Sequence, residues 1–203
     1  MNEFFKTNLK IYNEPPIDPS EVLRYSGMKE NISEVSEILL ECIEIAGPRL
    51  TYKVCYDIFP ISVHEGTVSF PFAELVSQTL SRHLADCESA VVFSATIGLE
   101  IDRLIAKNTR LSPARAVLLQ AFGTERIETL CNLFCNDLKA AFREENKLTL
   151  SRFSPGYGDL PLDFQRYIFR VLDCPKKIGV TLNESLLMSP SKSVTAIVGI
   201  KSV

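Results

Sequence analysis

Ten residues near the C-terminal end, Arg152-Phe153-Ser154-Pro155-Gly156-Tyr157-Gly158-Asp159-Leu160-Pro161, put a permanent cation, an aromatic ring and a conformationally set backbone into one short stretch. Arg152 offers a planar guanidinium whose fork of donors suits a carboxylate or a phosphate. Pro155 holds its own φ at about −65°. Gly156 and Gly158 can take φ > 0 and let a ligand come close to the main chain. Tyr157 supplies an aromatic face that attracts a cation. The same residue types also make an ordinary helix-to-helix turn, so the loop alone reads either as an anion site or as a connection.

Few other residues have spacing that supports chemistry. Six cysteines (42, 55, 87, 131, 135 and 174) occur without a CxxC pair, and the only histidines are His64 and His83. In a reducing compartment such cysteines read as small buried apolar residues. Cys131 and Cys135 share a helix face, but no histidine or second cysteine pair completes a metal site, so no metal is expected. No Ser-His-Asp or Cys-His arrangement is evident, and no catalytic side chain is assigned.

The 203 residues are 46% hydrophobic and 23% charged, with a net charge of −3. This is the composition of one globular domain over 1–203, and it argues against nucleic acid as a bulk partner. The charge is uneven: fifteen basic and twenty-one acidic residues over 1–150 give −6, while seven and four over 151–203 give +3. The part that carries the loop is therefore the electropositive one, which suits an anionic ligand group or an acidic protein, or is plain surface charge. No apolar run approaches the roughly 18 residues of a membrane span. Met1-Asn2-Glu3-Phe4-Phe5-Lys6 lacks a signal-peptide pattern, so a cytoplasmic location is expected.

The elements that must position the loop are mixed α and β. Asn8 to Tyr12 reads as a strand, and Asp18 or Ser20 caps a short helix that stops near Gly27. Asn31 or Ser33 opens a helix with apolar Val35, Ile38, Leu39, Cys42 and Ile45, ended by Gly47-Pro48. Thr51 to Val63 and Val68 to Phe70 read as strands, Phe72 to Leu84 as helix, and Ser89 to Ala95 as a buried strand leading into a helix to about Ala106. Ser112-Pro113 starts the longest helix, running toward Asn146 with an interruption around Gly123-Thr124. Leu162 to Leu172 is helical, and Ile178 to Leu182, Leu186 to Met188 and Val194 to Ile200 are candidate strands. Because the strands cluster rather than alternate with helices, the expected fold is α/β of the α+β type, an antiparallel or mixed twisted sheet flanked by helices.

Three stretches together resemble one family. Arg-x-x-x-Gly-Tyr at Arg152, Gly156 and Tyr157 resembles the S-adenosylmethionine-binding motif of the activation domain of cobalamin-dependent methionine synthase. Gly179 to Pro190, followed by Ser193-Val194, is similar to that domain's Leu-Thr-Glu-Ser-Phe-Ala-Met-Trp-Pro segment. Val92 to Asp102 is similar to its strand-to-helix passage. The resemblance covers roughly residues 90–200. The loop departs from it after Tyr157, where Gly158-Asp159-Leu160 stands in place of Pro-Ala-Cys.

The resemblance implies a stand-alone reactivation module acting in trans on a separate corrinoid-binding methionine synthase or methyltransferase, within methionine biosynthesis. The module binds S-adenosylmethionine, the cobalamin is carried by the partner, and a flavodoxin- or ferredoxin-type donor supplies the electron for reductive methylation. It also implies that Arg152, Pro155, Gly156, Tyr157, Glu128 and Glu184 contact the ligand. Glu128 would accept from its α-ammonium or ribose hydroxyls. Glu128 also reads as a solvated helix position near Arg126 or Lys139, Glu125 is a weaker candidate, and Glu184 suits a site rim or a partner for Arg152 or Arg166. Two alternatives stand beside this reading: a non-catalytic docking module without S-adenosylmethionine, and a domain that uses Arg152 for another carboxylate.

Overall fold

The computed structural model describes residues 7–28 and 33–203. In chain order the strands are β1 (Asn8–Tyr12), β2 (Tyr52–Pro60), β3 (Ser62–His64), β4 (Thr67–Phe70), β5 (Ala73–Val76), β6 (Ser89–Thr96), β7 (Lys147–Thr149), β8 (Thr181–Leu182), β9 (Met188–Ser189) and β10 (Ser193–Ser202). The helices are α1 (Pro19–Ser26), α2 (Ser33–Ala46), α3 (Gln78–His83), α4 (Glu100–Leu111), α5 (Pro113–Glu144), α6 (Gln165–Leu172) and α7 (Cys174–Ile178). Five strands form the main sheet in the order β1-β2-β6-β10-β7, with every neighbouring pair antiparallel. The expected fold class, an antiparallel sheet flanked by helices, is the one observed.

The sheet divides two apolar clusters because successive side chains in a strand point to opposite faces. Val91, Phe93 and Ala95 of β6 join one cluster with α1, α2, α4 and α5, whereas Ala90 and Val92 join the other with β4, α6 and α7. Seven of the eight residues of β6 are buried, the apolar run Ala90, Val91, Val92 and Phe93 together with Ser94, Ala95 and Thr96, as a central strand covered on both faces requires. Among the described residues no helix is long and apolar enough to cross a membrane.

The local signals near the N-terminus hold. The Asp18 carboxylate accepts from the amides of Ser20 and Glu21, and Gly27 ends α1 with φ +69°. Asn31 lies outside the described residues, and α2 is helical from Ser33. Several expectations fail. α7 runs through Ile178, so only Thr181–Leu182 of the strand expected from Ile178 to Leu182 forms, and of the one expected from Leu186 to Met188 only Met188 enters a strand. The stretch from Phe72 is not helical until Gln78, because Ala73–Val76 pairs with β4 and Ser77 then caps α3 by accepting from the Leu80 amide. The long helix is not interrupted at Gly123. It is continuous for 32 residues, a length of about 48 Å. A Cβ on Gly123 would lie 3.0 Å from Ile101 and 3.1 Å from Lys192, so the glycine admits neighbouring side chains rather than breaking the helix.

Inside α5, Arg126 is fully buried. It pairs with the Glu125 carboxylate and donates to the carbonyls of Pro15 at 2.7 Å and Pro16 at 2.8 Å. The lead-in Glu14-Pro15-Pro16 is thereby tied to the helix through the carbonyls of its two prolines. Removing one member strands the other charge in the core, at a cost of about 3–5 kcal/mol. Arg126→Leu is therefore expected to destabilise the protein by about that amount in equilibrium urea unfolding. The Glu125→Leu/Arg126→Leu double variant should recover most of the loss, and equal loss in both would show that the contacts to Pro15 and Pro16 dominate.

Candidate functional site

The segment after β7 runs antiparallel along β10. The Leu150 amide donates to the Gly199 carbonyl at 2.9 Å, and Phe153 and Ile197 exchange bonds of 2.8 Å. The ladder stops there, since Pro155 has no amide hydrogen to offer. The chain then closes a compact loop in which the amides of Tyr157, Leu160 and Gly156 donate to the carbonyls of Ser154, Tyr157 and Leu160. Gly156 at φ +88° and Gly158 at φ +58° make the reversal possible.

Where this segment leaves the sheet, a pocket of about 460 Å³ opens, lined by Glu128, Arg152, Phe153, Ser154, Tyr157 and Val194. Such a volume is typical of small-molecule sites. The sequence singles out Arg152 and Glu128 separately, and the structure brings them together as an ion pair. Glu128 takes neither Arg126 nor Lys139 as its partner. Only one arm of the Arg152 fork is used: its Nη1 is buried without a hydrogen-bond partner.

Tyr157 stands at the mouth, 70% exposed, with its ring edge-on to Phe153 at 5.3 Å. Pro155 is buried beneath the loop. Gly156 is exposed, and a Cβ on it would lie 3.2 Å from Leu162 Cδ1. Its positive φ makes it a requirement of the turn itself. Glu184 is not brought to the pocket. It is exposed between β8 and β9, and its carbonyl, rather than its carboxylate, accepts from Arg166 at 3.2 Å. Glu125 is committed to Arg126 and to the Thr129 hydroxyl at 2.8 Å.

Sequence reasoning missed Phe153, Ser154 and Val194 as lining residues. Ser154 and Phe153 lie inside the loop already singled out. Val194 lies in the Ser193-Val194 pair that follows the resembling stretch Gly179 to Pro190, where it reads as part of an apolar strand rather than as a lining residue. Two thiols lie near the guanidinium. Burial pushes Cys131 up to about 12 against the pull of Arg152, and burial likewise raises Cys135. At neutral pH both are protonated, so the pocket presents two opposite charges, an aromatic wall and a hydroxyl, without a thiolate. Among the described residues no group of three His, Cys, Asp or Glu is placed to hold a metal.

No protein-family model matches the chain, and a search of the curated proteins finds no match. Among solved structures it is similar to the MetH reactivation domain, crystallised bound to AdoHcy, with a TM-score of 0.69 and 14% sequence identity over 97% of this chain and 79% of that one. At that identity the likeness shows a shared fold.

The thiol environment has a direct consequence. In native protein at pH 8, Cys131 is expected to resist alkylation by iodoacetamide, read by peptide mass spectrometry, and to react once urea unfolds the chain. The sign follows from burial favouring the neutral thiol over the thiolate nucleophile. Native labelling as fast as in urea would mean that α5 opens locally at this turn.

Proposed function

We propose that the protein binds S-adenosylmethionine and its demethylated product through Arg152, Glu128 and the 152–157 loop, and serves as a stand-alone reactivation module for a separate corrinoid methyltransferase, a methionine synthase or a relative of one. The observation that carries this reading is the pairing of Arg152 with Glu128 in a pocket of ligand size, in a fold shared with a domain that has been crystallised with AdoHcy.

A guanidinium beside a carboxylate recognises a zwitterion. The α-carboxylate of an amino-acid head takes the Arg152 guanidinium in place of Glu128, and its α-ammonium takes the Glu128 carboxylate. On binding, the internal ion pair is replaced by two external ones. Tyr157 and Phe153 offer aromatic surface to a sulfonium or to a flat base.

The chemistry asks little else of the chain. A corrinoid carried by the partner, reduced by one electron from a flavodoxin- or ferredoxin-type donor, would supply the nucleophile for the methyl group, with the thioether as leaving group. Arg152, Glu128 and the 152–157 loop would hold the sulfonium that donates it. The sulfonium is already an activated leaving group, so holding the methyl in line is the main requirement.

A second reading has one observation in its favour: the Glu128 carboxylate already occupies Arg152. A docking module that has given up its ligand would keep such a self-satisfied pair.

Calorimetry separates the two. S-adenosylhomocysteine is expected to bind, and 5′-deoxy-5′-methylthioadenosine, which lacks the amino-acid head, to bind far more weakly. Arg152→Lys keeps the charge and loses the fork, and should weaken binding by about 1–3 kcal/mol. With a corrinoid-loaded methyltransferase, a low-potential reductant and S-adenosylmethionine, the wild type should restore the methylcobalamin spectrum. No binding and no spectrum would leave the docking module as the better account.

A further inference from the structure

The pocket loop is not held by its own hydrogen bonds alone. Asp159, just past Gly158, turns its carboxylate onto the first turn of α3, some eighty residues away in sequence. One oxygen accepts from the Ser77 hydroxyl at 2.6 Å, from the Thr79 amide at 3.1 Å and from the Thr79 hydroxyl; the other accepts from the Gln78 amide at 2.7 Å. Gly158 lies directly against the same threonine: a Cβ on it would be 2.8 Å from Thr79 Oγ1 and 3.3 Å from its Cβ. At the other end of α3, His83 Nε2 meets the Ser151 carbonyl at 2.8 Å, which places the proton on that nitrogen, and its ring lies 5.5 Å from Phe153. A helix of six residues, about 9 Å long, thus touches the loop at both of its feet. Four pocket-lining residues, Arg152, Phe153, Ser154 and Tyr157, lie between those feet.

We propose that α3 is a brace for the pocket loop, and that Asp159 and His83 are positioning residues that set the shape in which Arg152, Ser154 and Tyr157 meet a ligand. The proposal rests on the ligand-binding reading above and adds a cause for the loop's order that neither the loop sequence nor the ion pair supplies. A binding loop held in its bound shape spares the cost of ordering it on association. The residues that hold it touch no ligand themselves. The depressed ionisation of Asp159, caused by the hydroxyls of Ser77 and Thr79 and the amides of Thr79 and Gln78, keeps the clamp charged across the neutral range.

The test compares wild type, Asp159→Asn and His83→Phe by calorimetry with S-adenosylhomocysteine and by hydrogen exchange without it. Asparagine keeps one acceptor but turns an amide toward backbone donors, and should weaken binding about tenfold. Phenylalanine keeps the ring against Phe153 and loses the bond to Ser151, for about a threefold loss. In both variants the amides of Gly156, Tyr157 and Leu160 should exchange faster while those of β6 and β10 do not. Wild-type affinity and wild-type loop exchange in Asp159→Asn would overturn the brace. Faster exchange spread over the whole sheet would overturn it too, by making Asp159 a general stability residue. If wild type binds no S-adenosylhomocysteine, the ligand reading falls by itself, and unchanged exchange at the three loop amides then removes the brace as well.

Discussion

Strand β10 sets the terms for everything around the pocket. On one side it pairs residue for residue with β6 from Ser193 to Ile200. On the other it is covered only in part, by β7 at Ile200–Ser202 and by the bridge from Phe153 to Ile197. Beyond that point the covering segment departs at a proline, and the first residues of β10 keep β6 as their only strand neighbour among those described. The pocket is the space left by this half-covered strand. Its floor is Val194, its lid is the departing loop, and its far wall is α5. An arginine just before the departure reaches the helix, and a tyrosine just after it stands at the mouth.

The long helix shows how three positions of separation decide two different fates. Glu125 and Glu128 are similar residues on the same helix, yet Glu125 points into a buried knot with Arg126 and the N-terminal lead-in, while Glu128 faces Arg152 across the pocket. The first carboxylate is fully matched and has nothing to offer a solute. The second is paired with a guanidinium that still has a free donor. Burial with complete pairing makes structure, and partial pairing at an opening makes a site.

What could be read in the sequence follows the range of the forces involved. Asp18 capping α1, Gly27 ending it, Asn8–Tyr12 as a strand and the buried run of β6 are written within a few residues and were legible. So was the loop at 152–161, because Pro155, Gly156 and Gly158 carry their conformations with them. The strand at Ala73–Val76 was not legible, since its residues suit a helix and only pairing with β4 overrides them. Gly123 looked like a breaker because its real reason is a neighbour from α4 and another, Lys192, from just before β10. Glu128 meeting Arg152, Glu184 missing the pocket and Asp159 reaching α3 are all decided by tertiary geometry, which no local pattern records.

The position of β10 in the sheet also bears on how the chain finds its structure. This strand is made last of those described, yet it sits between β6 and β7, with its main partner about a hundred residues earlier. Contacts so far apart in sequence must close a long loop before they return any stabilisation, which slows folding. Until residues 193–202 arrive, β6 offers an apolar, hydrogen-bond-hungry edge to any passing strand. The same arrangement that leaves room for a ligand in the finished molecule therefore leaves the nascent one with an open sheet edge until β10 is in place.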